Sequence, residues 1–136
     1  MERAVLALMV LIISVMVLVG TASAFNSADL HKLQTTGNCV DCNLSGAVLI
    51  HWKLKGADLS GANLAGSNLT DTYLAGANLS GANLSGTVLS GTSLAGANLM
   101  GARLAGTNLS YADLAGATWV DGSPCERPSL GWCRRR

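Results

Sequence analysis

From Leu44 to Leu114 a leucine stands at every fifth residue, fifteen in succession. Two residues before each leucine the side chain is Ala, Ser or Thr in thirteen of the fifteen units, with Cys42 and Trp52 as the exceptions, and two residues after it glycine occurs in twelve. No α-helix can use this spacing, because a step of five residues turns about 140° around the axis and spreads the leucines over every face. A continuous strand cannot use it either. Residues two apart share a strand face, but the next small and large pair begins at an odd offset, which reverses the side. The chain keeps both residues inward only by bending once in every five residues, and glycine suits that bend because it accepts backbone angles that other residues avoid. Bends repeated in one sense predict a coil stacked on itself, a solenoid whose axis is filled by leucine and alanine.

The exceptions set the number of bends per turn. Glycine is missing two places after the leucine only at His51, Asp71 and Tyr111, which are separated by 20 and 40 residues. The three fall in one column if a turn takes 20 residues, and a period of fifteen scatters them. Four bends per turn, and hence a square cross-section, are expected. Fifteen units then make just under four coils, a rod on the order of 20 Å long at the inter-strand spacing of about 4.8 Å.

Six units read Ala-(Asp/Asn)-Leu in full: Ala57-Asp58-Leu59, Ala62-Asn63-Leu64, Ala77-Asn78-Leu79, Ala82-Asn83-Leu84, Ala97-Asn98-Leu99 and Ala112-Asp113-Leu114. In these the sequence resembles the pentapeptide-repeat family, whose motif is A-(D/N)-L-x-x. The resemblance implies an all-β fold, a right-handed quadrilateral parallel β-helix of about four coils, and its handedness is taken from the family. Some members of that family protect DNA gyrase by imitating the charge of DNA. Between Asn43 and Asp121 this chain has four carboxylates against three basic groups, so the mimic lacks its physical basis here.

An open solenoid exposes both its apolar axis and an unpaired strand edge, so its ends need covers. Trp52 occupies an inward small-residue slot of the first coil and Trp119 the leucine slot after Leu114; both are expected to act as lids. Extending the leucine phase backwards puts Cys39 and Cys42 in inward slots, and Cys125 and Cys133 follow the repeats. An even cysteine count beyond an export segment points to disulfides. Of the three possible connectivities, pairing within each end is favoured, because the rod separates the ends by more than the roughly 7 Å Cα limit of a bridge. The same distance argues against a four-thiolate zinc site. A thioredoxin-like use of Cys39-Val40-Asp41-Cys42 is the redox alternative, and it lacks the βαβ context.

Residues 4 to 28 carry no charge, and Ala22-Ser23-Ala24 forms a small-residue cleavage site. Residues 1–24 therefore read as a secretory signal peptide, with an uncleaved N-terminal anchor as the alternative. Residues 25–41 form a lead-in and cap, 42–118 the repeats, and 119–136 a C-terminal cap and basic tail. Either version of the leader places the rest across a membrane, in the periplasm, a thylakoid lumen or the extracellular space, and membrane contact comes only through an uncleaved leader. The segments flanking the repeats look like the caps of small exported pentapeptide-repeat proteins of cyanobacteria and other bacteria. Five Asn-x-Ser/Thr sequons, at Asn43, Asn68, Asn78, Asn83 and Asn108, are by-products of the repeat and would crowd the rod if glycosylated, which favours a bacterial source.

Composition sharpens this picture. The chain of 136 residues is 49% hydrophobic but only 4% aromatic and 12% charged, against about 25% charged in an ordinary soluble domain. A narrow axis has no room for rings. The formal net charge of +1 gives no concentrated basic face, so nucleic acid is not an expected partner. No Ser-His-Asp or paired-carboxylate spacing stands out, and neither catalysis, a metal nor a cofactor is expected. One strip departs from the small-residue background when the coils are aligned by twenties. It lies at the corner between the second and third faces and carries His51 and Lys53, Asp71 and Tyr73, Gly91 and Ser93, then Tyr111 and Asp113. Aromatic and charged side chains anchor interfaces better than small ones, so His51, Lys53, Asp71, Tyr73, Tyr111 and Asp113 form the candidate binding site for a protein partner. The expectation is a non-enzymatic exported structural or interaction module. The alternatives are a secreted effector or adaptor that uses the strip and a thiol oxidoreductase using Cys39 and Cys42.

Overall fold

The computed structural model describes residues 25–135, and the expected signal peptide, residues 1–24, lies outside the described residues. The described chain opens on α1 (Ser27–Thr36). The side-chain oxygen of Asn26 caps it by accepting from the N–H of Ala28 at 2.9 Å and of Asp29 at 3.4 Å. Gly37, at φ 72°, ends it by donating its N–H to the Leu33 carbonyl at 2.8 Å. This helix is an addition to the β-helix that the sequence leads one to expect. Leu33 is its one buried residue, so the segment has no apolar stripe of helical period for the sequence to display.

Parallel bridges then join residues 20 apart, from Asn43 with Asn63 through Asn98 with Thr118. Each turn thus takes four pentapeptides. The first face carries Leu44, Leu64, Leu84 and Leu104, the second Leu49, Leu69, Leu89 and Leu109, the third Leu54, Leu74, Leu94 and Leu114, and the fourth Leu59, Leu79, Leu99 and Trp119. The Asn or Asp before many of these leucines has a local task. Its side-chain oxygen accepts from the N–H two residues on, as from Asn68 to Thr70, Asp58 to Ser60 and Asn98 to Met100, each at 3.0 Å. That bond fixes the bend at the corner.

The inward leucines and alanines form one buried column. Threonine replaces alanine without leaving a polar orphan: the hydroxyls of Thr72, Thr87 and Thr92 donate to the carbonyls of Leu49, Leu64 and Leu69 on the preceding turn at 2.6, 2.7 and 2.6 Å. No buried side-chain nitrogen or oxygen among the described residues lacks a partner.

Both ends are partly covered. At the first, Leu33 of α1 packs on the axis, and Asn43 is paired on both sides, donating to the Asp29 carboxylate and accepting from the Asn26 N–H, each at 2.8 Å. Cys39 and Cys42 are joined by a buried disulfide beside it, with Cα atoms 5.3 Å apart. At the other end, residues 123–131 run antiparallel along the fourth and then the third face, bridging Pro124 to Thr118 and Leu130 to Asp113. The disulfide between Cys125 and Cys133, with Cα atoms 5.0 Å apart, turns the tail back. Trp52 and Trp119 are half-buried and pack against the core at these ends, beside Leu33 and the tail.

Candidate functional site

The corner strip is built by the 20-residue register. Lys53, Tyr73, Ser93 and Asp113 are successive bridge partners on the third face, and His51, Asp71, Gly91 and Tyr111 occupy the preceding bend on the same turns. All six candidate binding residues therefore lie along one edge of the rod. At the bend the backbone demands a left-handed conformation: φ is 62° at His51, 53° at Asp71, 66° at Gly91 and 60° at Tyr111. Asp and His tolerate that region better than a bulky aromatic residue does, and an L-residue there costs on the order of 1–2 kcal/mol. Tyr111 is thus the strained member, and its side chain is 84% exposed.

His51 and Asp71 face one another with Nδ1 and Oδ2 3.9 Å apart, and their side chains are 72% and 55% exposed. That separation exceeds a hydrogen bond, and water is not excluded, so the pair forms no buried catalytic couple. Tyr73 is 44% exposed. Between it and Tyr111 the intervening turn presents only Gly91 and Ser93, which leaves a low saddle flanked by two rings. Asp113 is partly occupied, accepting from the Ala115 N–H at 3.0 Å. Along the rod the strip thus runs from His51 and Lys53 through Asp71 and Tyr73 to Tyr111 and Asp113 on the last turn.

Two features escaped the sequence reading. Asp41, at φ 56°, takes the same strained bend on the fourth-face corner, and its carboxylate lies over Gly61 as that of Asp71 lies over Gly91. The leucine phase places it there, but it precedes the regular repeats. A shallow pocket of about 360 Å³ opens between α1 and the first turn, lined by Leu33, Gln34, Gly37, Trp52, Lys53 and Leu54. It depends on a helix the sequence did not announce. Among the described residues no group of three or more His, Cys, Asp or Glu gathers as a metal site, and no helix is long and apolar enough to cross a membrane.

The family model for pentapeptide repeats matches residues 42–81, 53–91 and 82–118, with eight copies of the repeat. The chain belongs to the pentapeptide-repeat family. Among solved structures it is similar to HetL, a pentapeptide repeat protein involved in heterocyst differentiation regulation from the cyanobacterium Nostoc sp. strain PCC 7120. Identity there is 39% over 64% of this chain and 40% of that protein, with a TM-score of 0.63. It is also similar to QnrB1, a plasmid-mediated fluoroquinolone resistance protein, at 25% identity over 59% of this chain and 39% of that one, with a TM-score of 0.56. The chain spans about two fifths of the length of either. No sequence among the curated proteins matches it significantly.

Proposed function

We propose that this chain is an exported, non-enzymatic interaction module that binds one protein partner through the His51, Lys53, Asp71, Tyr73, Tyr111 and Asp113 strip. The carrying observation is Tyr111, a bulky side chain kept at φ 60° and 84% exposed where glycine fills twelve equivalent bends. Strain retained at an exposed ring is accounted for by a task outside the fold. Export is supported by the charge-free stretch over residues 4–28 with its Ala22-Ser23-Ala24 site, and by two end disulfides of the kind an oxidising compartment sustains. In this reading residues 1–24 direct export, 25–41 and 119–136 close the ends, and 42–118 present the strip. The periplasm or a thylakoid lumen is the expected setting.

The test is crosslinking in the native envelope with the wild-type chain and with Tyr73→Ser and Tyr111→Ser together. Loss of a specific crosslinked partner in the double variant is expected; an unchanged partner list sinks the strip. Mass spectrometry of the mature protein should find Phe25 at its amino terminus, and an intact Met1 would instead indicate the anchored form.

A further inference from the structure

The last turn of the solenoid offers four equivalent seats for an antiparallel strand, and the described residues fill two of them. On the fourth face the Ala117 carbonyl accepts from the Cys125 N–H at 2.8 Å, and the Trp119 N–H donates to the Ser123 carbonyl at 2.8 Å. The third face repeats the arrangement: the Ala112 carbonyl accepts from Gly131 at 2.8 Å, and Leu114 donates to Ser129 at 2.7 Å. Each seat is a carbonyl and an N–H two residues apart, taken by a tripeptide whose inward residues are small: Ser123 and Cys125, then Ser129 and Gly131.

The second and first faces present the same couples, Thr107 C=O with Leu109 N–H and Ala102 C=O with Leu104 N–H, with no bonding partner among the described residues. Leu104 and Leu109 are correspondingly only half-buried, while every leucine above them in the same columns is fully buried. The tail would reach the second face next, and Gly131 already stands beside Leu109 and Tyr111. It is diverted there, because Cys133 is bonded back to Cys125 and the Glu126 N–H donates to the Arg134 carbonyl at 2.8 Å.

We infer that these two vacant seats take an extended segment of a partner protein, added antiparallel, with small residues inward and a carboxylate opposite Arg103. The register is copied from the filled seats, where Pro124 lies opposite Thr118 and Leu130 opposite Asp113. Continued around the rod, it sets the segment's two outward residues opposite Asn108 and Arg103. The Arg103 side chain is exposed, with no ion pair or hydrogen bond among the described residues, so an acidic residue suits that place. Main-chain bonds to an open edge supply affinity, and the alternating side chains supply selection. The corner strip meets this edge only on its last turn, at Tyr111 and Asp113, so a variant at Tyr73 tests the strip separately.

The probe is the nonapeptide Ser-Pro-Ser-Glu-Arg-Pro-Ser-Glu-Gly, which repeats the filled seats with serine for Cys125 and glutamate for Leu130, added to the full chain with its cysteines oxidised. Amide NMR should show the Leu104 and Leu109 N–H resonances shifting and their solvent exchange slowing as peptide is added. Replacing the second glutamate by lysine should weaken binding roughly five-fold, and the difference should vanish in Arg103→Ala. Tyr73→Ser, two turns from the edge, should leave peptide binding unchanged. Absence of shifts at those two amides with millimolar peptide overturns the inference, as does equal binding of the glutamate and lysine forms. Slow exchange at both amides before peptide is added also overturns it, since a second copy or the chain's own tail then already sits on the edge; sedimentation would tell which.

Discussion

The carboxylate of Asp71 lies over Gly91 on the next turn, its Oδ1 2.1 Å from where a β-carbon on that glycine would stand. Gly91 thus answers two demands, a left-handed φ of 66° and room for its neighbour. Gly96, at φ 67°, has nothing within 4 Å of its notional β-carbon and answers only the first. Gly96→Ala should cost about 1–2 kcal/mol from backbone strain alone. Gly91→Ala should cost about 0.5–1 kcal/mol more, because the Asp71 carboxylate must swing aside, and the excess should disappear in an Asp71→Gly background. Denaturant titration of the four chains closes the cycle, and an excess that survives without Asp71 would refute the coupling.

Tyr111→Gly should stabilise the fold by about 1 kcal/mol, since it removes an L-residue from a bend that every glycine-bearing unit adopts freely. Tyr111→Ala keeps the β-carbon and should gain nothing. A raised melting temperature in the glycine variant, together with loss of partner crosslinking, is the expected pairing of stability gained and function lost. A glycine variant no more stable than the alanine one would show that the ring itself contributes packing.

How much of this was legible follows from period. The five-residue spacing and three displaced glycines were enough to read the 20-residue register, and with it the juxtaposition of His51 with Asp71 and of Lys53 with Tyr73. Repeats are legible because one local solution is written many times. The ends are written once. Nothing periodic marks α1, whose fit depends on Leu33 and on side-chain bonds from Asn26 and Asp29, nor does any pattern say that residues 123–131 stop after two faces. Trp52 and Trp119 stand out as inward aromatics and do pack against the core, but Leu33 and the folded-back tail beside them carry no such mark in the sequence.

Asp58 supplies a pH-dependent prediction. The Ser60 hydroxyl and then the Ser60 N–H, donating to its Oδ1 at 2.7 and 3.0 Å, hold its carboxyl below the usual carboxylate range. A carboxylate with a lowered folded-state pKa stabilises the fold above the ordinary range and loses that contribution as pH falls through the lowered value. Asp121, held down by Ser123 and then by Arg135, behaves alike at the opposite end. In carboxyl-detected NMR titrations Ser60→Ala should raise the Asp58 midpoint and leave that of Asp121 in place. A midpoint unmoved by the loss of the hydroxyl would show that the bend, not Ser60, sets it.

Leu89 and Leu109 occupy the same column of the second face one turn apart, so they differ in coverage and not in residue type or local backbone. Leu89 is fully buried, with a turn on either side of it, whereas Leu109 meets the turn of Leu89 on one side and open edge on the other. Leu89→Ala removes a side chain from a site that cannot collapse and should cost about 3–5 kcal/mol. Leu109→Ala should cost about 1–2 kcal/mol, because much of its surface is already in contact with water. Leu84→Ala against Leu104→Ala repeats the comparison on the first face. Chemical denaturation measures both pairs, and equal losses within a pair would mean that the last turn is covered in solution. Any ligand that seats on the vacant edge should widen the stabilisation at Leu109 selectively, since it buries that side chain and leaves Leu89 as it was.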